Sequence, residues 1–262
     1  MPELDVAIEA AYEAGNSILE IYESKYETFT KSDDSPITEA DLKSNEIIKA
    51  ILSKTNHKIL SEEDKDDQKR LSEEIIWIVD PLDGTSDFID KTGEFTVMIA
   101  LIKNKKPIIG VIGWPTEKTI FAAQKGCGAF RFSKGKWEKI SVTKVSELSK
   151  CKAVGSRHHL SEKEKMFIKK LGIKDFTSIG SSLKVGKISS GEAEAYITTT
   201  NKMKEWDSAA SYCLISEAGG KMTDMSGNDI TYNNKIVNHQ NGILVTNGLI
   251  HDKIVEEFKK LD

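Results

Sequence analysis

In WIVDPLDGTSDFI, residues 77–89, two carboxylates three residues apart, Asp80 and Asp83, stand at the end of an apolar run. Asp, Pro and Gly together make a turn, so the segment reads first as a turn. A turn needs one aspartate, and the second is left over. The run before Asp80 is apolar at nearly every place, the pattern of a strand buried on both faces. An unpaired carboxylate is costly there, and two close together repel. A divalent cation neutralises both. Carboxylates and backbone carbonyls are hard oxygen donors that suit Mg²⁺ rather than zinc. No His/Cys cluster competes for the role. Pro81 stiffens the turn, so Asp80, the Leu82 carbonyl and Asp83 can converge on one side. Gly84 lets backbone approach a ligand closely. Thr85-Ser86-Asp87-Phe88 then opens a short helix whose amides face an anion. A metal beside a phosphate is the arrangement of metal-assisted phosphate hydrolysis.

Three further acids stand at element edges, and each has two readings. Thr38-x-x-Asp41 has the form of a capping box, which alone explains Asp41. Glu62 lies in Ser61-Glu62-Glu63-Asp64, which reads as a solvated loop, yet directly follows the strand end Ile59-Leu60. A second Ser-Glu-Glu at Ser72–Glu74 shows how common the pattern is. Asp207 in EWDSAA fits a helix N-cap. If Asp80 and Asp83 hold a metal, all three are candidates to complete the site.

The elements that must position these acids follow from periodicity. Residues 3–24 place Val6, Ala10, Ala14, Ile18, Ile21 and Tyr22 at helical spacing, and a break follows at Asp33–Pro36. A second helix opens at Thr38–Asp41. Short strands are expected at Lys58–Leu60 and Ile75–Val79. From Phe95 onward FTVMIALI, IIGVIGWP, TIFAAQ, GAFRF and EKISV form a meander of antiparallel strands. After about Val145 strands and helices alternate: KAVGS, a helix over Glu162–Leu171, FTSIG, a helix over Leu183–Ser190, AEAYIT, a helix over Asp207–Ala218, two strands, and a last helix over Leu249–Leu261. The expected division is 1–145, helices on an antiparallel sheet carrying most of the acids, and 146–262, a smaller α/β half supplying Asp207.

With 262 residues, 39% of them hydrophobic, the chain can bury a full core as one large domain or two intimate halves. A net charge of −4 disfavours a general nucleic-acid binder. The absence of a basic stripe laced with aromatics likewise disfavours a nuclease of short RNA. Cys127, Cys151 and Cys213 are scattered, the pattern of reduced thiols. No signal peptide and no run of ~20 apolar residues is present, so a cytoplasmic protein is expected, with peripheral membrane association left open.

With these residues in hand, the chain resembles the inositol monophosphatase superfamily of Mg²⁺-dependent, lithium-sensitive phosphatases. The match carries D-P-L-D-G-T followed by W-D-S-A some 120 residues on, and it covers nearly the whole chain. The strings 31–41, 60–64, 93–97 and 177–184 (TSIGSSLK) are similar to the bacterial 3′(2′),5′-bisphosphate nucleotidase branch, the CysQ type. One stretch departs from that branch: between Tyr196 and Trp206 this chain reads ITTTNKMKE, where the branch carries an Arg- and Gly-Pro-containing loop.

The resemblance implies a layered αβαβα sugar-phosphatase fold, an α+β half with an antiparallel sheet followed by a smaller α/β half. It implies Glu62, Asp80, the Leu82 carbonyl, Asp83 and Asp207 as ligands for two to three Mg²⁺, with inhibition by Li⁺. Asp41 and Thr85 would activate water, and Gly84, Thr85 and Ser86 would contact the phosphate to be removed, with Asp207 also touching substrate. His159, Ser181 and Lys184 would contact the nucleotide or its second phosphate. His158 competes with His159 for that role, a solvated loop explains both, and Lys184 also reads as a surface lysine. The implied activity is removal of the 3′-phosphate of adenosine 3′,5′-bisphosphate, giving AMP and phosphate in sulfate assimilation. The small-molecule substrate needs no nucleic acid or membrane partner, and the enzyme would be a monomer or homodimer. An inositol or sugar monophosphatase is the near alternative. A catalytically silent metal- or nucleotide-binding sensor is the alternative of another class.

Overall fold

The computed structural model describes residues 2–31 and 35–261, with the side chain of Pro2 excepted. Ser32, Asp33 and Asp34, part of the first branch-like string, lie outside the described residues. Helix α1 (Pro2–Tyr22) is followed by a small hairpin, β1 (Thr28–Thr30) and β2 (Pro36–Thr38), and by α2 (Glu39–Leu52). Strands β3 (Lys58–Ser61) and β4 (Ile75–Asp83) lead to the short helix α3 (Thr85–Ile89). The meander follows as β5 (Thr96–Lys103), β6 (Lys106–Trp114), β7 (Thr119–Gln124), β8 (Gly128–Ser133) and β9 (Lys136–Ile140). The second half comprises β10 (Lys152–Ser156), α4 (Glu162–Lys170), β11 (Asp175–Ile179), α5 (Leu183–Ser189), β12 (Ala195–Thr198), α6 (Ala209–Glu217), β13 (Lys221–Thr223), β14 (Ile243–Thr246) and α7 (His251–Lys259).

Five layers stack as α, β, α, β, α. The buried stripe Ala7, Ala10, Ala11, Ala14 and Ile18 of α1, at helical spacing, packs with α2 on one face of a seven-stranded sheet ordered β3 to β9. The other face of that sheet meets α5 and α6 in a second apolar cluster, which includes Ile78, Met98, Ile112, Phe121, Ile188 and Leu214. Gly110 on β6 permits this close approach, since a Cβ there would stand 2.4 Å from the Ala210 carbonyl oxygen. Beyond α5 and α6 lies a five-stranded sheet ordered β11-β10-β12-β14-β13. Its outer face is covered by α4 and α7 through Phe167, Ile168, Ile254 and Val255.

The sequence reading differs from this structure in the following elements. Strand β4 does not stop at a turn before Pro81 but runs on to Asp83. The sheet of the second half is mixed, because β14 pairs antiparallel with both β12 and β13. The hairpin β1–β2 arises where the sequence showed only a break, because its three-residue strands are too short for periodicity to register.

His251 opens α7 and is fully buried between two threonines. Thr223 donates its hydroxyl proton to the Asp224 carbonyl and so accepts from Nε2–H at 2.8 Å. Thr246 accepts from the Gly248 amide and donates to Nδ1 at 2.9 Å. The ring is therefore held neutral, and burial pushes its pKa down to about 4. An unfolded chain protonates this ring near pH 6.5, so its contribution to stability is complete above pH 6.5 and is lost as pH falls toward 4. The loss is expected to total about 2–3 kcal/mol. Denaturant melts between pH 7.5 and 4.5 check this, with His251→Gln expected to flatten that part of the pH dependence.

Candidate active site

The acidic end of the site is built by a bulge. Asp80 lies opposite Met98 and Asp83 opposite Thr96, so three steps along β4 match two along β5. Pro81 occupies the bulge, where its missing N–H breaks no ladder bond. The Leu82 amide turns back onto Asp80 Oδ1 at 3.0 Å, and Ser44 Oγ holds the Pro81 carbonyl at 2.7 Å. Asp83 Oδ2 accepts from the Ser182 amide at 2.5 Å and from Thr96 Oγ1 at 3.4 Å, joining the two halves of the molecule. Glu62 follows β3, and its amide bonds the Val79 carbonyl of β4 at 3.1 Å, which brings it beside Asp80. Asp207 does not open α6 as the sequence suggested. It ends a separate 3₁₀ turn, Glu205–Asp207, and Ser208 takes the cap position.

Glu62, Asp80 and Asp207 each offer a carboxylate oxygen, and these oxygens lie within 4.8 Å of one another. Burial first, then Glu62, Asp83 and Asp207, pushes the Asp80 pKa well above the carboxylate range. Burial, then Glu62 and Asp83, does the same to Asp207. Burial raises Asp83 to about 6, although Lys184 and the Ser182 amide pull it back. Buried and half-buried carboxylates that destabilise one another's ionised forms, all of them oxygen donors, are a fit for a hard divalent cation. The Leu82 carbonyl oxygen is at hand as well, 3.4 Å from Thr85 Oγ1.

Both readings of Asp41 hold at once. Its Oδ2 accepts from the Thr38 amide at 2.8 Å and from Thr38 Oγ1 at 2.6 Å, which closes the capping box of α2. Its Oδ1 accepts from Thr85 Oγ1 at 2.9 Å. Gly84 sits between the carboxylates and this pair with φ +94°, and a Cβ there would meet Ser181 and the Glu94 carbonyl at 3.2 and 3.3 Å.

All of the site residues named from sequence except Asp41 line one cavity of about 990 Å³. Asp41 stands behind Thr85. On the wall contributed by the second half, Ser181 adopts φ +46°, and its hydroxyl is buried with no partner among the described residues. Lys184 is not a surface lysine. It is buried, its ammonium donates to the Ser181 carbonyl, and it lies 5.3 Å from the centre of the Tyr196 ring. His158 and His159 both line the cavity, but His158 is engaged with Asp87 at 3.4 Å.

A family model described as the inositol monophosphatase family matches residues 2–262. The chain belongs to this family. Among inositol monophosphatase family relatives, it is 34% identical over 237 residues to the 3′(2′),5′-bisphosphate nucleotidase CysQ of Escherichia coli K12, covering 87% of this chain and 93% of that one. The crystal structure of CysQ from Bacteroides thetaiotaomicron superposes with a TM-score of 0.80 at 34% identity, covering 93% of this chain and 96% of that one. An inositol monophosphatase of Thermotoga maritima shares the fold, with a TM-score of 0.84 at 24% identity over 100% of this chain and 98% of that one.

Several residues at the site carried no role in the sequence reading. Lys31 places its ammonium 2.9 Å from Glu62 and 2.7 Å from Glu63. Asp87 is buried and bonds Thr92 Oγ1 at 2.8 Å, while Arg157 Nε stands 3.3 Å away. Glu94 accepts from Arg157 and from the Gly180 amide. Arg157, Gly180 and Ser182 thus clamp the second half onto the first around the cavity. The partners in these bonds are 63 to 99 residues apart, so they leave no local pattern to read. No described helix is long and apolar enough to cross a membrane.

Proposed function

We propose that the chain is a Mg²⁺-dependent 3′(2′),5′-bisphosphate nucleotidase that converts adenosine 3′,5′-bisphosphate to AMP and phosphate. The observation that carries this reading is a single cavity with an acidic, hydroxyl-bearing end and a wall holding His159, Ser181 and Lys184. A substrate with one ester phosphate to be cleaved and a second phosphate to be held uses both. The similarity to relatives named 3′(2′),5′-bisphosphate nucleotidase supports the same reading.

In this reading Glu62, Asp80, the Leu82 carbonyl, Asp83 and Asp207 hold two to three Mg²⁺. When bound, such ions polarise phosphoryl oxygens and make water more acidic. The remaining steps belong to side chains of this chain. The Thr85 hydroxyl gives its proton to the hydrogen bond with Asp41, so its oxygen is free to accept from a water at the cavity wall. Asp41 is held by three donors and fixes the direction of that hydroxyl. The water attacks phosphorus and loses a proton toward the Thr85–Asp41 pair. The P–O3′ bond breaks, the 3′-oxygen takes a proton from solvent water while the one released by the attacking water passes to solvent, and phosphate and AMP leave. Gly84, Thr85 and Ser86 border the ester phosphate. His159, Ser181 and Lys184 face the rest of the nucleotide. The unpartnered Ser181 hydroxyl is a ready hydrogen-bond group there.

Chromatography of the products tests the proposal. With Mg²⁺, the 3′-phosphate should leave and 5′-AMP should accumulate, and added Li⁺ should slow the reaction. Recovery of 3′-AMP, or no release with Mg²⁺ present, would exclude it. The enzyme is expected in a reducing, cytoplasmic setting. Its three cysteines are all free, and burial pushes the Cys151 and Cys213 thiols up to about 11 and about 12.

A further inference from the structure

The loop after β12 forms one wall of the cavity with Thr199, Thr200, Lys202 and Met203. It is pinned from two sides. Glu164, buried at the start of α4, accepts from the Thr199 amide at 2.6 Å through Oε1 and from the Ser161 amide at 2.8 Å through Oε2. The Met203 carbonyl accepts from the His239 amide at 2.8 Å, and Lys204 bridges Asn238. The Lys202 amide bonds Thr200 Oγ1 at 3.2 Å within the loop. Lys202 is therefore presented on a fixed backbone, and among the described residues no carboxylate pairs with it. Lys31, by contrast, is tied to Glu62 and Glu63, and Lys184 to carbonyls of its own turn. Partial burial, then His158, Lys184 and Lys202, holds the His159 imidazole below its ordinary range, so the cations crowd one region.

A phosphate monoester of an uncharged alcohol would be met at the carboxylate end and would leave this cationic wall facing nothing of opposite charge. We propose that Lys202 is the residue that selects a second phosphate, its ammonium contacting the phosphate that is not cleaved. This rests on the nucleotidase reading above and deepens it. Lys184 and His159 border the same region, but Lys184 is buried, spends two of its three donors on the Ser181 and Ile179 carbonyls, and has its charge set against Asp83 and Asp87. Lys202 lines the cavity with no carboxylate partner among the described residues. A charge-assisted contact of this kind is worth about tenfold in affinity, and salt screens it because the loop is exposed.

The test compares adenosine 3′,5′-bisphosphate with adenosine 3′-monophosphate, which has the same ester and lacks the second phosphate. The wild type should prefer the bisphosphate. Lys202→Gln should lower the ratio of the two kcat/KM values about tenfold, through KM for the bisphosphate rather than kcat. Lys202→Arg should keep the ratio. Rising ionic strength should erode the wild-type preference more than that of Lys202→Gln. An unchanged ratio in Lys202→Gln, or a fall in kcat alike on both substrates, overturns the role of Lys202 and leaves the nucleotidase reading standing. A wild type that cleaves neither nucleotide, or both equally, overturns the nucleotidase reading and the selection with it.

Discussion

Asp83→Asn is expected to give a folded protein that releases phosphate at least roughly a thousandfold more slowly than the wild type, the scale of losing a group that acts on the transition state. The fold should survive because the amide oxygen of the substituted side chain can still accept from the Ser182 amide, the bond that joins the halves. The charge is what disappears. Thermal melts with and without Mg²⁺ separate the two effects. Wild-type Tm should rise with Mg²⁺, since a ligand that binds only the folded state stabilises it by mass action. Asp83→Asn should show a smaller rise. In chelator, a companion change, Asp80→Asn, should be stabilising. It removes a carboxyl whose ionised form is disfavoured by burial and by Glu62, Asp83 and Asp207, and the Leu82 amide keeps its acceptor. Near-wild-type turnover in Asp83→Asn, or an Asp80→Asn protein less stable than wild type in chelator, would contradict the metal assignment.

The second large effect is expected at Thr85. Thr85→Ala removes the only hydroxyl bonded to Asp41 Oδ1 among the described residues, and kcat should fall by about 10²–10⁴ with little change in KM. Thr85→Ser should retain most of the activity. Thr85 is the cleaner probe of the pair, because Asp41 also caps α2. An Asp41→Asn protein would lose about 1 kcal/mol of stability along with activity, and the two losses would be confounded. Steady-state kcat and KM for the three proteins decide the matter. A Thr85→Ala enzyme within about tenfold of wild type would remove the pair from the reaction.

What was legible in the sequence had a local cost attached. Asp80 and Asp83 stood out because a buried strand end does not tolerate two carboxylates without compensation, and the structure buries Asp80 fully and Asp83 in part. The core stripe of α1 and the long strands of the meander were legible because their patterns run over whole elements, from Pro2 to Tyr22 in the helix and from Thr96 to Trp114 in β5 and β6. What was not legible depended on pairing. Nothing local says that Asp80 and Asp83 share a bulge, because the extra residue is defined only against Met98 and Thr96. Asp207 looks like a helix cap from its neighbours, and only the packed 3₁₀ turn separates it from α6. Lys184 reads as any lysine, and its burial comes from α5 being sandwiched between the two sheets. Nor does anything local set His158 apart from His159, because the contact of the first with Asp87 comes from far back in the chain.

The most direct measurement is kcat/KM for adenosine 3′,5′-bisphosphate beside inositol 1-phosphate, with Mg²⁺ and again with chelator. The nucleotidase account predicts strong preference for the nucleotide and no turnover of either in chelator. Preference for the inositol ester, or turnover that persists without divalent cation, would contradict it.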